Sequence, residues 1–314
     1  MKSTVTPTIF PVTSPNRVAV IDLGTNTFNL LIADVFTQKF EYVYTEKEGV
    51  SLGMGGINEG IIAEDAFRRG VNAIVKFKRI CDQHQVTKIH AFGTSALRDA
   101  GNTDEFMAEV KQLTGIEISI ITGEEEAELI YKGVLWSYNF PERAIIMDIG
   151  GGSTEFILAD RHGIESKISL DIGVSRIFQE LELNDPLTSI DVQTIEDWLE
   201  ERAEGFFDDK ECDVLIGASG SFETFHEMIH KHKFPEGIAS REIPMEQLLE
   251  ITDWIISSEQ VERDNHPFII PIRRKMAPIA AVKTRWVMKR LGVKKVLVSP
   301  CALKEGALSD FWKK

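Results

Sequence analysis

One thirteen-residue pattern occurs twice in this chain, and it constrains the fold more than any other feature. Residues 22–34 read DLGTNTFNLLIAD and residues 148–160 read DIGGGSTEFILAD. Both run Asp, apolar, Gly, two small or polar residues, Thr or Ser, two variable residues, three apolar residues, then Ala-Asp. Asp148 follows Asp22 by 126 residues (148 − 22), close to one domain length. Self-similarity at that spacing predicts two related domains and not a solenoid, whose repeats are much shorter. A length of 314 residues agrees, on a prior of about 150 residues per domain.

Each copy follows an apolar run, 17–21 or 144–147, and precedes another, 28–35 or 156–159. The local prediction is therefore strand, small-residue turn, strand. A turn between two strands differs from dinucleotide-binding and Walker loops, which open a helix. Between and after the copies, helical periodicity predicts helices over 63–81, 104–113, 124–134, 189–207, 245–257 and 279–291, with a short one from Leu303. Short β-rich runs predict strands over 88–92, 117–121, 167–170, 214–217 and 295–299. Strands alternating with helices indicate an α/β architecture, and the hairpins within it imply mixed sheets. The division expected is a flexible extension over 1–16, one domain over 17–125 and a second over 126–314, hinged near Thr122–Tyr131. The C-terminal helix is expected to pack back on the first domain.

A net charge of −14 argues against general nucleic-acid or membrane-surface binding. No apolar run approaches the ~20 residues of a membrane span. The first sixteen residues lack a signal-peptide core, so a cytoplasmic location is expected. Cys81, Cys212 and Cys301 are widely spaced and read as buried thiols. His226, His230 and His232 are close in sequence, and a solvated helix end accounts for them better than a metal site. Basic residues concentrate between Arg263 and Lys295, with Asp264 the only acid among them. That segment either lines a polyanion site or forms a solvated basic face.

Three constellations carry chemistry. In the paired turns, Gly150, Gly151, Gly152 and Ser153, and less fully Gly24, Thr25 and Asn26, can present successive backbone N–H groups to an anion. Asp22 and Asp148 at the strand ends would then face phosphate, which makes sense with a divalent cation between them. Next, Thr94 and Ser95 can cap a helix whose N-terminus favours an anion, and Arg98 one turn later could bind phosphate oxygens. A plain N-cap with a surface arginine would give the same pattern. Lastly, Thr122 and Glu125 form a capping box, and Glu124 suits the helix dipole. Glu126 is left without a structural explanation, and a carboxylate at a cleft hinge can act as general base on water. Glu155 is a second candidate or a metal partner.

With these residues assembled, the chain resembles the exopolyphosphatase / guanosine pentaphosphate phosphohydrolase (Ppx/GppA) family, within the superfamily of sugar kinases, Hsp70 and actin. The resemblance runs from about Val18 to Leu308 through DLGTNTFNLLIADV, GTSALRDAGN, ITGEEEAELIYKGV, MDIGGGSTEF, SLDIGVSR, LIGASGS and KEGAL. It implies two actin-like domains around a central cleft and hydrolysis of the terminal phosphoanhydride of polyphosphate. Guanosine pentaphosphate (pppGpp) is the alternative substrate. It further implies Glu126 as base, Asp148 and Glu155 at metal and water, Arg98 and both turns on phosphate, Mg²⁺ or Mn²⁺ as cofactor, and a homodimer. Three features depart from the pattern. Gly217–Phe222 is bulkier than the usual turn and is expected to narrow a nucleotide-side pocket. Met276 stands where an acid is common. The sequence ends at Lys314 without a further helical domain, from which lower processivity is expected. Phosphotransfer is disfavoured by Glu126 in place of an acceptor-binding aspartate, and a non-catalytic alarmone sensor is a third reading.

Overall fold

The computed structural model describes residues 16–37, 39–203 and 205–311. The extension expected over 1–16 lies outside the described residues except for Asn16, which already begins a strand.

Five strands build the first sheet: β1 (Asn16–Leu23), β2 (Thr27–Phe36), β3 (Lys39–Gly49), β4 (Lys88–Gly93) and β5 (Ile118–Ile120). Helices α1 (Glu64–Gln83), α2 (Ser95–Asp99) and α3 (Thr103–Thr114) accompany them, and α4 (Gly123–Val134) leads out. The second sheet comprises β6 (Ala144–Ile149), β7 (Thr154–Asp160), β8 (Gly163–Leu170), β9 (Val214–Gly217), β10 (Arg241–Ile243) and β11 (Lys295–Val298). Its helices are α5 (Val174–Glu180), α6 (Ser189–Arg202), α7 (Gly220–His230), α8 (Met245–Ser257), α9 (Gln260–Asn265), α10 (Ala277–Leu291) and α11 (Leu303–Ala307).

The duplication seen in thirteen residues extends through both sheets. Their orders are β3-β2-β1-β4-β5 and β8-β7-β6-β9-β11-β10. In each, a central strand pairs antiparallel with a hairpin partner on one side and parallel with a later strand on the other. The expected α/β architecture with two mixed sheets around a cleft is what forms. Residues 18–21 of β1 and 144–147 of β6 are continuous apolar runs and fully buried, as in strands covered on both faces.

Local chemistry explains the main boundaries. Thr122 and Glu125 make the anticipated capping box at α4, with Glu125 N–H donating to Thr122 Oγ1 at 3.2 Å and Thr122 N–H to Glu125 Oε2 at 2.8 Å. Gly115 and Gly292, with φ of 72° and 68°, end α3 and α10 in the left-handed conformation that glycine adopts without strain. The helix expected over 189–207 stops at Arg202. The strand expected over 167–170 begins at Gly163, where residues 160–163 turn back on β7.

One apolar cluster joins the two sheets. It gathers Val18, Val20 and Leu31 from the first, Ile146, Ile216 and Leu297 from the second, Ile130 and Val134 from α4, and Leu303, Leu308 and Phe311 from the C-terminal segment. Each such side chain, fully buried, contributes about 1.5–3 kcal/mol. Within it α4 and α11 cross at backbone contact: a Cβ on Gly133 would meet the Ala302 carbonyl, and one on Gly306 the Leu129 carbonyl. This crossing fixes α4, and with it Glu126, against the cleft. Among the described residues no helix is long and apolar enough to cross a membrane.

Candidate active site

The two repeated turns face each other across a cavity of about 200 Å³. Gly24, Thr25 and Asn26 line it from the side of the first sheet, and Gly150, Gly151, Gly152 and Ser153 from the side of the second. Their glycines are required by how closely the turns approach. A Cβ on Gly151 would lie 2.9 Å from Asn26 Cγ, and one on Gly152 would lie 2.8 Å from Thr25 Oγ1 and Ser95 Cβ. Ser95, at the start of α2, lines the same cavity and is 1% exposed.

Five carboxylates line this space: Glu223 from α7, and a group of four made by Asp22 from β1, Glu126 from α4, Asp148 from β6 and Glu155 from β7. Glu126 and Glu155 are 8% and 1% exposed. Burial holds these four above the usual carboxylate range, and repulsion within the group adds to it at Glu126 and Asp148. Glu126 is raised well above it by desolvation and then by Glu155. Asp148 is raised well above it by desolvation, then Glu155, then Asp22. Asp22 and Glu155 are raised by desolvation, against Lys304 and Asn29 for the first and against the Ser169 and Ser153 hydroxyls for the second. Concentrated like charge of this kind, in a cleft, marks a functional site more often than a structural one.

Hard oxygen donors in a group of four suit Mg²⁺ or Mn²⁺. Among the described residues no three His, Cys, Asp or Glu side chains form a closed metal cage. Mg²⁺ does not require one, since it takes one or two carboxylates and completes its shell with water and substrate phosphates. Asp22 and Asp148 are the residues that would hold it.

Arg98 differs from its sequence expectation. It does not line the cavity. Its Nη1 instead donates to Glu126 Oε2 at 3.3 Å and to the Ile121 carbonyl at 3.1 Å, so it steadies the proposed base. Thr94 occupies the N-cap of α2 without a side-chain capping bond.

The basic segment is not a continuous polyanion surface. Arg263 is buried and pairs with Asp185, Arg285 pairs with Asp253, Arg290 with Asp208 and Glu200, Lys294 with Asp213, and Lys295 with Glu142. Acids distant in sequence neutralise it. Lys283 lies wholly inside, donating to Thr154 Oγ1 at 2.6 Å and to the Ile172 carbonyl, and burial pulls it down to about 7. Of the segment's cations only Arg273 lines the cavity.

Two further expectations change. His226 is buried and not at a solvated end: its ring packs 4.2 Å from His230 and 4.8 Å from Phe234, and burial lowers it to about 4. Phe222 does not narrow the cavity, because its ring turns into the core under Gly217 while Ala218–Ser221 line the space. The three cysteines are free and buried.

Sequence reasoning missed Lys47, Glu223, Arg273 and Lys304 as cavity residues. Lys304 stands in the KEGAL segment, which has a physical reading. Gly306 permits the helix crossing, Glu305 caps α11 through the Ala302 N–H at 2.9 Å, and Lys304 faces Asp22, Glu223 and Asp148.

The model of the Ppx/GppA phosphatase family matches residues 31–314. The chain belongs to this family. It is 32% identical to an exopolyphosphatase from Cytophaga hutchinsonii, whose crystal structure superposes with a TM-score of 0.90 over 94% of this chain and 97% of that one. Exopolyphosphatase 2 of Mycobacterium tuberculosis is 29% identical over 92% of this chain and 97% of its own length. A bifunctional 3-dehydroquinate synthase/phosphatase of Fusobacterium nucleatum is 37% identical over 66% of this chain, which spans only 33% of that longer protein.

Proposed function

We propose that this Ppx/GppA phosphatase hydrolyses the terminal phosphoanhydride of inorganic polyphosphate and releases orthophosphate. The observation that carries this reading is Glu126: a buried carboxylate, steadied by Arg98, that opens on a cavity between two phosphate-cradling turns. The names of the Cytophaga and Mycobacterium relatives support polyphosphate as substrate.

In this reading the backbone N–H groups of Gly150–Ser153 and Thr25–Asn26 bind the oxygens of the terminal phosphate, and Ser95 adds a hydroxyl. Asp22 and Asp148 would hold Mg²⁺ or Mn²⁺, which would supply neutralisation of phosphate charge. Glu126 takes a proton from the attacking water as it approaches phosphorus in line. Glu155, fixed by the Ser169 hydroxyl at 2.7 Å, orients that water from the opposite side. The leaving group is itself a phosphate anion, so no strong acid is needed.

A second reading, removal of the terminal 5′-phosphate of pppGpp, uses the same machinery. The open Ala218–Ser221 wall favours keeping it, since the cavity has room on the second-domain side. A cytoplasmic, homodimeric enzyme is part of the proposal by family resemblance.

The test is phosphate release from long-chain polyphosphate with Mg²⁺, in wild type and Glu126→Gln. The expected loss in the variant is about 10²–10⁴-fold in kcat. Undiminished activity would remove Glu126 as base, and an inactive wild type would move the assignment to pppGpp.

A further inference from the structure

Three cations of the cavity lining surround a single carboxylate. Glu223, in the first turn of α7, has its Oε2 2.9 Å from Lys47 Nζ and 4.0 Å from Arg273 Nη2. Arg273 is held separately by donating from Nη1 to Thr224 Oγ1 at 2.9 Å, and it lies over Gly220, where a side chain would collide with its guanidinium. Lys304 faces Glu223 from α11. Lys47, Glu223, Arg273 and Lys304 line the same cavity as the two turns. Lys47 comes from β3 of the first sheet and the others from the second half of the chain, so the cluster spans the cleft.

This arrangement is unbalanced in charge. Lys304 is shared with Asp22 and Asp148, and Arg273 is shared with Glu227 of the same helix as Glu223, but Lys47 pairs with Glu223 alone inside the cavity. Lys47 and Arg273 line the cavity that the turns face, within which the next phosphates of a bound chain would extend. Glu223 stays ionised because those cations outweigh its desolvation. A carboxylate so placed has two effects of opposite sign on an incoming polyanion. It keeps the cations ordered, and it competes for them.

We propose that Lys47 and Arg273 form a second phosphate subsite whose resident counter-ion is Glu223, and that this carboxylate weakens binding of short phosphate chains. It rests on the polyphosphate reading above for its substrate class. A ligand must carry enough charge beyond its terminal phosphate to displace Glu223 from Lys47. Long chains do so with several phosphates, whereas a two-phosphate ligand has only one to offer. Glu223 thus sets the minimum length bound well.

The experiment measures binding of magnesium imidodiphosphate, a pyrophosphate with a nitrogen bridge, by calorimetry to wild type, Glu223→Gln, Lys47→Met and the double variant. Glu223→Gln is expected to bind about three- to tenfold more tightly than wild type, with a larger gain at low ionic strength. Lys47→Met is expected to bind more weakly, and the double variant to lose most of the gain. Lys47 is about half exposed on a sheet edge, so its variant reports even if Glu223→Gln folds poorly. Unchanged or weaker binding by Glu223→Gln, a double variant as tight as Glu223→Gln alone, or no binding by any form would overturn the proposal. The readout needs no turnover. A protein that shows these shifts yet releases no phosphate from polyphosphate would sink the hydrolase reading and leave the subsite standing. An active hydrolase without the shifts would do the reverse.

Discussion

The two copies of the turn share a backbone arrangement and differ in the residue that stands across from the aspartate. In both, the first glycine is pressed against a carbonyl three residues on: a Cβ at Gly24 would lie 2.9 Å from the Thr27 oxygen, and at Gly150 2.8 Å from the Ser153 oxygen. In both, the aspartate ends the first strand of a hairpin. Opposite Asp22 stands Asn29, which donates to Asp22 Oδ2 at 3.0 Å. Opposite Asp148 stands Glu155, a second negative charge. Directly opposed like charges destabilise an antiparallel pair. The first copy is therefore satisfied by its own residues, while the second is completed only by a proton or a cation. One scaffold thus carries a half with a neutral partner for its aspartate and a half with a charged one, and the exchange of amide for carboxylate separates them.

The largest effects should come from making the second copy resemble the first. Glu155→Gln removes the repulsion on Asp148 and Glu126, and kcat should fall by about 10²-fold or more. The folded protein without metal should gain about 1 kcal/mol at neutral pH, as is common when a strained site is relieved. The sign follows from linkage. Asp148 and Glu126 have folded pKa values above their unfolded ones, so the native state holds more protons and loses this stability as pH rises through the folded values. Melting temperatures of wild type and Glu155→Gln, measured without metal from pH 4 to 8, should therefore diverge as pH rises, with the variant higher. Curves that stay parallel would mean that Glu155 does not burden its neighbours, and the contrast between the copies would fail.

The glycines test the contrast differently. Gly24→Ala and Gly150→Ala should cost similar stability, since each meets a carbonyl of its own turn. Gly152→Ala instead presses on Thr25 and Ser95 of the opposite domain. It should reduce kcat/KM by about 10- to 100-fold, because small displacements at a reacting centre are costly. Thermal melts and initial rates on the three variants separate the cases. A Gly152→Ala enzyme no worse than Gly24→Ala would show that the cleft opens freely at this point.

Much of this was legible from sequence because it resides in local rules. The hairpins, the capping box at Thr122 and the two aspartates follow from short patterns, and the duplication extends to sheet order. What was not legible depends on distant partners. The Arg263–Lys295 segment looks like a polyanion site until Asp185, Asp253, Asp208 and Glu142 arrive from elsewhere in the fold. Arg98 looks free for phosphate until α4 brings Glu126 to it. Lys47 and Glu223 carry no motif, being an edge-strand lysine and a helix-start glutamate that meet only across the cleft. Phe222 reads as bulk in a turn, and only the backbone direction at Gly217 sends it into the core.

The smallest effect is the most discriminating, because it converts the first copy into the second. Asn29→Asp deletes the donor to Asp22 and adds a carboxylate at the position that Glu155 occupies in the other hairpin. Metal-free stability should drop by about 0.5–1 kcal/mol at neutral pH, the scale of a cross-strand pair changed from favourable to repulsive. Mg²⁺ should bind about two- to fivefold more tightly near pH 8, since a cation relieves the new repulsion. The gain should shrink as pH falls, because protons then occupy the same carboxylates and must be displaced first. Calorimetric titration of Mg²⁺ at pH 6 and pH 8 reads both effects. An Asn29→Asp protein with wild-type affinity at both values would mean that Asp22 lies outside the cation's reach, leaving metal binding to the second copy alone.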